Sequence, residues 1–279
     1  MGAANLVPGV SGGTIALVIG IYERLIASIR EGSSALGNLL KGNLKAFRAH
    51  LAAVEWIFLL SIGAGTIAAV LLLSSFLERQ LDEQPTATAA VFFGLVLGSV
   101  FIAWGLLKDR RIVHVVVAIA VALVLFFLLG LGAATEASDP SLLAFFLAGA
   151  LAICSMILPG ISGSLILLLV GMYAAVLSAV NDRDMASIGV FIVGAIIGLA
   201  LFSQLLYWAL RHYHDLVLAG LVGLMAGSLR ILWPWPDGVD SAVLAAPGDD
   251  WPMAVAAMIV GALIVVAISR LATNREEPA

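Results

Sequence analysis

Two short polar stretches in a long apolar chain hold the groups best placed to do chemistry. They are Ser11-Gly12-Gly13-Thr14 and Ser162-Gly163-Ser164, and each follows a Pro-Gly pair, Pro8-Gly9 and Pro159-Gly160. Proline lacks an N–H and its ring clashes with the preceding turn, while glycine has little helical preference, so each pair breaks a helix and the polar residues begin the next one. The first four N–H groups of a helix have no intrahelical partner, and the macrodipole adds partial positive charge there. Together they attract an anion. Glycine lets a phosphate or carboxylate approach the backbone, and hydroxyls add donors. Ser11, Gly12, Gly13, Thr14, Ser162, Gly163 and Ser164 are therefore the candidate substrate-binding residues. The competing reading is close helix packing, because small residues let backbones touch inside a membrane.

Ionisable side chains in apolar surroundings are the second source of chemistry. Arg230, in Gly227-Ser228-Leu229-Arg230-Ile231-Leu232-Trp233, could grip a phosphate head group through two N–H donors. The alternative is that it snorkels to the interface beside Trp233 and Trp235 as belt residues. Glu23, after Tyr22 and before Arg24, is a candidate carboxylate for proton or cation coupling, against an ordinary interfacial ion pair. Asn5 and Gln204 are lesser polar candidates, and Trp56, Trp104, Trp208 and Trp251 suit interfacial belts.

Other chemistries find little support. The single cysteine, Cys154, lies in an apolar run and reads as a packing residue; it supplies neither a disulfide framework nor a cysteine metal cluster. The four histidines, His50, His114, His212 and His214, fall at predicted membrane edges, away from Ser11 and Ser162. No Walker motif and no Lys/Arg-rich run is present, so neither ATP drive nor nucleic-acid binding is expected. The chain reads as a non-enzyme with no cofactor and no metal site.

The elements that must position these residues are membrane helices. The chain has 279 residues, 62% hydrophobic and 11% charged, with a mean hydropathy of +1.11. A spanning helix needs about 20 mostly apolar residues. Such segments fall near 3–29 (broken at Pro8-Gly9), 56–77, 87–107, 112–132, 141–180 (broken at Pro159-Gly160), 187–209, 215–232 and 252–271. The polar, basic stretch 30–55 suits a short surface helix. The 233–251 connection carries tryptophans, prolines and Asp237, Asp240, Asp249 and Asp250.

The chain repeats itself. A shift of 151 places Pro8, Gly9, Ser11, Gly12, Ile15, Leu17, Gly20 and Tyr22 on identical residues from Pro159 to Tyr173. A shift of 129 places Gly94, Leu95, Gly98, Ser99 and Trp104 on Gly223, Leu224, Gly227, Ser228 and Trp233. The expected fold is an all-α polytopic membrane protein of two repeats, 1–132 and 141–271, each a broken or re-entrant hairpin plus three transmembrane helices. Loop charge sets their relation. With the basic 30–55 stretch inside, Lys108, Arg110 and Arg111 also fall inside; Arg211, Arg270 and Arg275 fall inside, and the acidic 237–250 stretch outside, only if 141–180 enters and returns. The repeats are then inverted, with one hairpin from each side and both termini cytoplasmic. By analogy with 141–158, roughly ten more apolar residues would be expected before Met1.

The strings Met1-Gly2-Ala3-Ala4-Asn5-Leu6-Val7-Pro8-Gly9-Val10-Ser11-Gly12-Gly13-Thr14-Ile15-Ala16, Gly20-Ile21-Tyr22-Glu23, Leu158-Pro159-Gly160-Ile161-Ser162-Gly163-Ser164 and Gly227-Ser228-Leu229-Arg230-Ile231-Leu232-Trp233-Pro234-Trp235 resemble the bacterial polyprenyl-phosphate transporter family. The resemblance covers essentially the whole chain. It implies translocation of undecaprenyl phosphate, the carrier lipid of cell-envelope synthesis, from the outer to the inner leaflet of the bacterial cytoplasmic membrane. Such a transporter works by alternating access, and the chain is compatible with H⁺ or Na⁺ coupling and with a homo-oligomer. From the residues alone, a transporter of a small anion and a membrane enzyme acting on a lipid phosphate stay open.

Overall fold

The computed structural model describes residues 1–6, 10–132, 140–236, 238–239 and 243–273. Val7, Pro8 and Gly9 of the first break lie outside the described residues, as do most of the 133–140 connection, Asp237, Asp240 and Arg275. A short 3-10 turn (Ala3–Leu6) leads into α1 (Gly12–Val18), α2 (Tyr22–Leu40), α3 (Leu44–Ala53), α4 (Trp56–Glu83), α5 (Pro85–Gly105) and α6 (Ile112–Gly130). After residue 140 come α7 (Leu142–Ile157), α8 (Gly163–Leu169), α9 (Tyr173–Asn181), α10 (Met185–His212), α11 (His214–Ser228) and α12 (Trp251–Thr273). Five of these helices are long and apolar enough to cross a membrane, and α8 with α9, bent by 111° at their junction, make up to six. The chain is a multi-pass, all-helical membrane protein.

Both short helices after the breaks are built alike. Ser11 caps α1 from an extended backbone and accepts the Gly13 N–H; Ser162 caps α8 and accepts the Leu165 N–H. Each ends in a glycine at positive φ, Gly20 at 80° and Gly171 at 68°. Around these glycines the Gly20 and Ile21 N–H groups donate to the carbonyls of Leu17 and Ala16. At the second site Gly171 and Met172 donate to Leu168 and Leu167, so every bond recurs 151 residues later. This closure satisfies the last carbonyls and needs the left-handed conformation that glycine adopts without strain.

The two sequence offsets have a structural cause. α2 outruns α9 by ten residues (19 against 9), and α3 has no counterpart before α10. Beyond these insertions α4 and α10, each of 28 residues, start at Trp56 and Met185, an offset of 129. The basic 30–55 stretch thus forms the end of α2 and all of α3. No residue of α3 is buried, as suits a helix lying on the surface.

Helix packing runs through small residues. Gly94 and Gly98 of α5 meet Met258, Ala262 and Val265 of α12, and Gly223 and Gly227 of α11 meet Ala118, Ala122 and Leu125 of α6. The contacts of one pair are those of the other with the two halves exchanged. Gly149 of α7 and Gly194 of α10 face each other's helices in the same way. In lipid, tails are as apolar as leucine, so close backbone contact rather than hydrophobic burial drives association. The largest buried cluster includes Tyr22, Ile26, Val96, Leu206, Met225 and Leu232, and so joins α2 to α5, α10 and α11.

Candidate substrate site at the paired helix breaks

The helix start that follows the first break meets the second break. Ser11 Oγ donates to the Leu158 carbonyl (3.1 Å), and the Gly160 N–H donates to Thr14 Oγ1 (3.0 Å). Pro159 interrupts the helix between these two backbone groups, and its ring is fully buried. In a bilayer such freed groups must find partners within the protein, and hydroxyls at the start of α1 supply them. A methyl group added to Gly13 would stand 2.8 Å from the Ile157 carbonyl oxygen, so only glycine allows this approach.

The start of α1 is satisfied by its own chain. The Gly12 N–H donates to Asn5 Oδ1 (2.6 Å), the Gly13 N–H to Ser11 Oγ (3.1 Å), and the Thr14 N–H to the Ser11 carbonyl (3.0 Å). An anion arriving here would have to take the place of Asn5 and Ser11. Asn5 is thus a capping residue that the sequence marked only as a lesser candidate. Ser11 and Thr14 are buried, whereas Ser164 is exposed and its hydroxyl lies 2.9 Å from that of Ser162. The second tip is the more open of the two, although Gly163 beside it is buried.

Arg230 follows the end of α11 and turns onto α6. Its guanidinium carbon sits 4.6 Å from the centre of the Phe126 ring, and the group lies against Gly130, where any side chain would collide with it. Just beneath, Ile231 packs with Leu125, Leu129, Ile161 and Leu165, which ties this corner to the second hairpin tip. Trp233 and Trp235, belt residues in the snorkelling alternative, are instead held by protein groups. Their rings meet edge to face at 5.3 Å, and their indole N–H groups donate to the Ala245 carbonyl and to Asp250 Oδ1. Ala245 and Asp250 provide those acceptors, with Trp235 buried and Trp233 half-buried. Trp56, Trp208 and Trp251 are about half exposed, as belt residues would be, while Trp104 packs against the core.

At the opposite end of α11, Glu23 finds a basic partner across the fold rather than next to it in sequence. His214 Nε2 lies 3.0 Å from Glu23 Oε1, and its Nδ1 lies 2.8 Å from Asp215 Oδ1. Asp215 also accepts the backbone N–H groups of Lys108 (3.2 Å) and Asp109 (2.8 Å). This network joins α2, α11 and the α5–α6 connection. A cavity of about 480 Å³ opens beside it, lined by Tyr22, Glu23, Arg24, Lys108 and His214 among others. Arg24 binds Glu55 instead of Glu23, with Nε 2.8 Å from Oε2, and this hydrogen bonding holds the Glu55 carboxyl below its ordinary range. The sequence did not single out Tyr22, which is fully buried with its hydroxyl unpaired among the described residues. Among those residues no group of three or more His, Cys, Asp or Glu side chains is arranged to hold a metal.

Residues 1–251 match the VCA0040-like family, described as undecaprenyl phosphate translocase-like. A polyprenyl-phosphate transporter of Vibrio cholerae is 40% identical over 240 residues, covering 85% of this chain and 76% of the relative. A polyprenyl-phosphate transporter of Staphylococcus aureus is 28% identical over 295 aligned residues, 99% of this chain and 95% of the relative. No solved structure matches. With a match that runs over most of its length, the chain belongs to the undecaprenyl phosphate translocase-like family.

Proposed function

We propose that this protein moves undecaprenyl phosphate, or a closely related polyprenyl phosphate, from the outer to the inner leaflet of the bacterial cytoplasmic membrane. The carrying observation is the direct bonding of the two helix breaks, Ser11 to Leu158 and Thr14 to Gly160. It joins two equivalent tips at one point, the arrangement that transporters with inverted repeats use for a mid-depth site. The repeats are 1–132 and 141–271, inverted, with both termini cytoplasmic; the exchanged α5–α12 and α11–α6 contacts support the two-fold relation.

Arg230 captures the phosphate from the outer side, and the substrate passes to Ser11, Gly12, Gly13 and Thr14 and to Ser162, Gly163 and Ser164 when the tips part. Rocking one repeat against the other breaks the tip bonds and gives alternating access. Glu23, held by His214, is placed to couple that motion to H⁺ or Na⁺. The protein carries intact lipid and acts as no enzyme.

The test is leaflet exchange of a fluorescent polyprenyl phosphate in liposomes containing the purified protein. Exchange should be fast with the wild type and fall at least tenfold in Arg230→Ala, with partial recovery in Arg230→Lys. Flux of soluble phosphate without lipid exchange would favour the small-anion reading. Formation of a dephosphorylated product would favour an enzyme. Unchanged exchange in Arg230→Ala would leave Arg230 an anchor on Phe126.

A further inference from the structure

A second cavity, of about 500 Å³, lies at the basic end of the molecule, where α2 and the last turns of α10 come together. It is lined by Arg30, Gln204, Tyr207, Trp208, Arg211 and His212. The Arg30 guanidinium sits 4.4 Å from the centre of the Tyr207 ring and that of Arg211 sits 5.8 Å from it. Arg211 Nη1 also donates to Tyr207 Oη (3.2 Å). Two cations are thus gathered around one phenol, and no carboxylate lines the space. Glu31 binds Arg30 (2.7 Å) through one oxygen and His50 (2.7 Å) through the other, and Glu23 lines a neighbouring cavity together with Tyr207 and Arg211. Arg211 forms no ion pair among the described residues.

Glu31 compensates Arg30, but Arg211 brings a second positive charge to the same ring, and gathering like charge is unfavourable unless an anion or water compensates it. An aromatic face offsets part of the repulsion, and a phosphate meeting two guanidinium groups would offset more. The surroundings point to a lipid. Trp208 is about half exposed and stacks on His212 at 5.1 Å, as an interfacial aromatic does. From the same side of the cavity α10 presents exposed Leu205, Leu201 and Ile197, a track for a hydrocarbon tail. A hydroxyl contact between Ser33 and Ser203 (3.2 Å) fixes α2 against α10 beside the cavity.

We propose that this cavity binds the phosphate of a membrane lipid in the leaflet facing the basic end. Arg30 and Arg211 hold its oxygens, Gln204 donates, and the tail lies along α10. The transported lipid and a bulk anionic phospholipid offer the same chemistry. In the first case the cavity is a receiving station opposite Arg230, which rests on the transport reading; the site itself does not.

Binding of the full-length purified protein would be measured in detergent micelles against three probes: a short-chain polyprenyl phosphate, phosphatidylglycerol and inorganic phosphate. Arg211→Gln should weaken binding of one or both lipids at least tenfold. Arg211→Lys should lose less, and Arg30→Gln should lose a comparable amount to Arg211→Gln. Loss for the polyprenyl phosphate alone assigns the station to the carried lipid, and equal loss for both lipids assigns it to anionic lipid in general. Lipid binding unchanged in a folded Arg211→Gln/Arg30→Gln double variant overturns the proposal, as does tightest binding to inorganic phosphate. Arg230→Ala, run in parallel, separates the two claims. If it alone stops leaflet exchange while the double variant binds lipid normally, the transport reading survives and the second site falls.

Discussion

At the scale of the residue, the central observation is that Thr14 and Ser11 complete the broken backbone of a segment about 150 positions away. The Thr14 bond to Gly160 N–H is fully buried on both sides, so removing the hydroxyl leaves an amide with no acceptor. Thr14→Val should therefore cost about 1–3 kcal/mol, seen as a lower melting temperature of the purified protein, and should reduce lipid exchange several-fold. Thr14→Ser keeps the oxygen and should stay close to wild type on both measures. A second residue-level expectation concerns pH. Asp184 caps α10 by accepting the Ala186 and Ser187 N–H groups. The Ser187 side-chain and backbone hydrogen bonds hold its carboxyl below the ordinary value. A carboxyl with a depressed folded pKa stabilises above its unfolded pKa and loses that contribution as pH falls through the folded one. The melting-temperature gap between wild type and Asp184→Ala should hold steady from neutral pH down to the ordinary carboxylate range and close below it. A gap that widens on acidification would show that Asp184 is not the ionised cap.

Between elements, glycine contacts decide which helices are neighbours. A methyl group on Gly94 would overlap the Met258 backbone, and one on Gly223 would stand 2.5 Å from the Ala118 carbonyl oxygen. Gly94→Ala and Gly223→Ala should each destabilise by about 1–3 kcal/mol through overpacking. Gly220, also on α11, has open space around it, so Gly220→Ala should be neutral or stabilising, as expected for alanine in a helix. Thermal unfolding of the three variants in one detergent separates the contact argument from a general effect of replacing glycine. If Gly220→Ala falls as far as the others, the α5–α12 and α11–α6 crossings do not depend on backbone approach.

The molecule as a whole poses the question of how its two halves are related. The exchanged helix pairs and the bonded tips describe a paired framework, and inversion follows if α8 and α9 return to the side from which α7 entered. Their 111° bend is the feature that would turn the chain. Cysteine labelling, in a background with Cys154 replaced, should reach a cysteine at Pro140 and one at Asp182 from the same side of the membrane. Reaction from opposite sides would make the halves parallel and would move the acidic 237–250 stretch into the cytoplasm. The same framework places the Arg230 corner and the Glu23–His214 network at opposite ends of α11.

Much of this was legible in the residues because the informative signals are local. Apolar length sets where a chain crosses a membrane, Pro-Gly sets where it breaks, and Ser with a later Gly sets the cap and closure of the helix that follows. Hence the predicted spans 87–107 and 187–209 fall on Pro85–Gly105 and Met185–His212, and the second break falls at Pro159-Gly160, between α7 and α8. Partner choice was not legible, because apolar surface in lipid carries no information about which helix covers it. Only the tertiary structure brings α5 to α12, Glu23 to His214, 191 positions apart, and Trp235 to Asp250 instead of to lipid. It also decides what the opening motif does. By itself Ser11-Gly12-Gly13-Thr14 is a helix start able to hold an anion; folded, its hydroxyls hold the other break, and its first amides are held by Asn5 and Ser11. The physical reason is that a broken helix in a membrane must satisfy its backbone from within the protein, and only the fold determines where those partners stand.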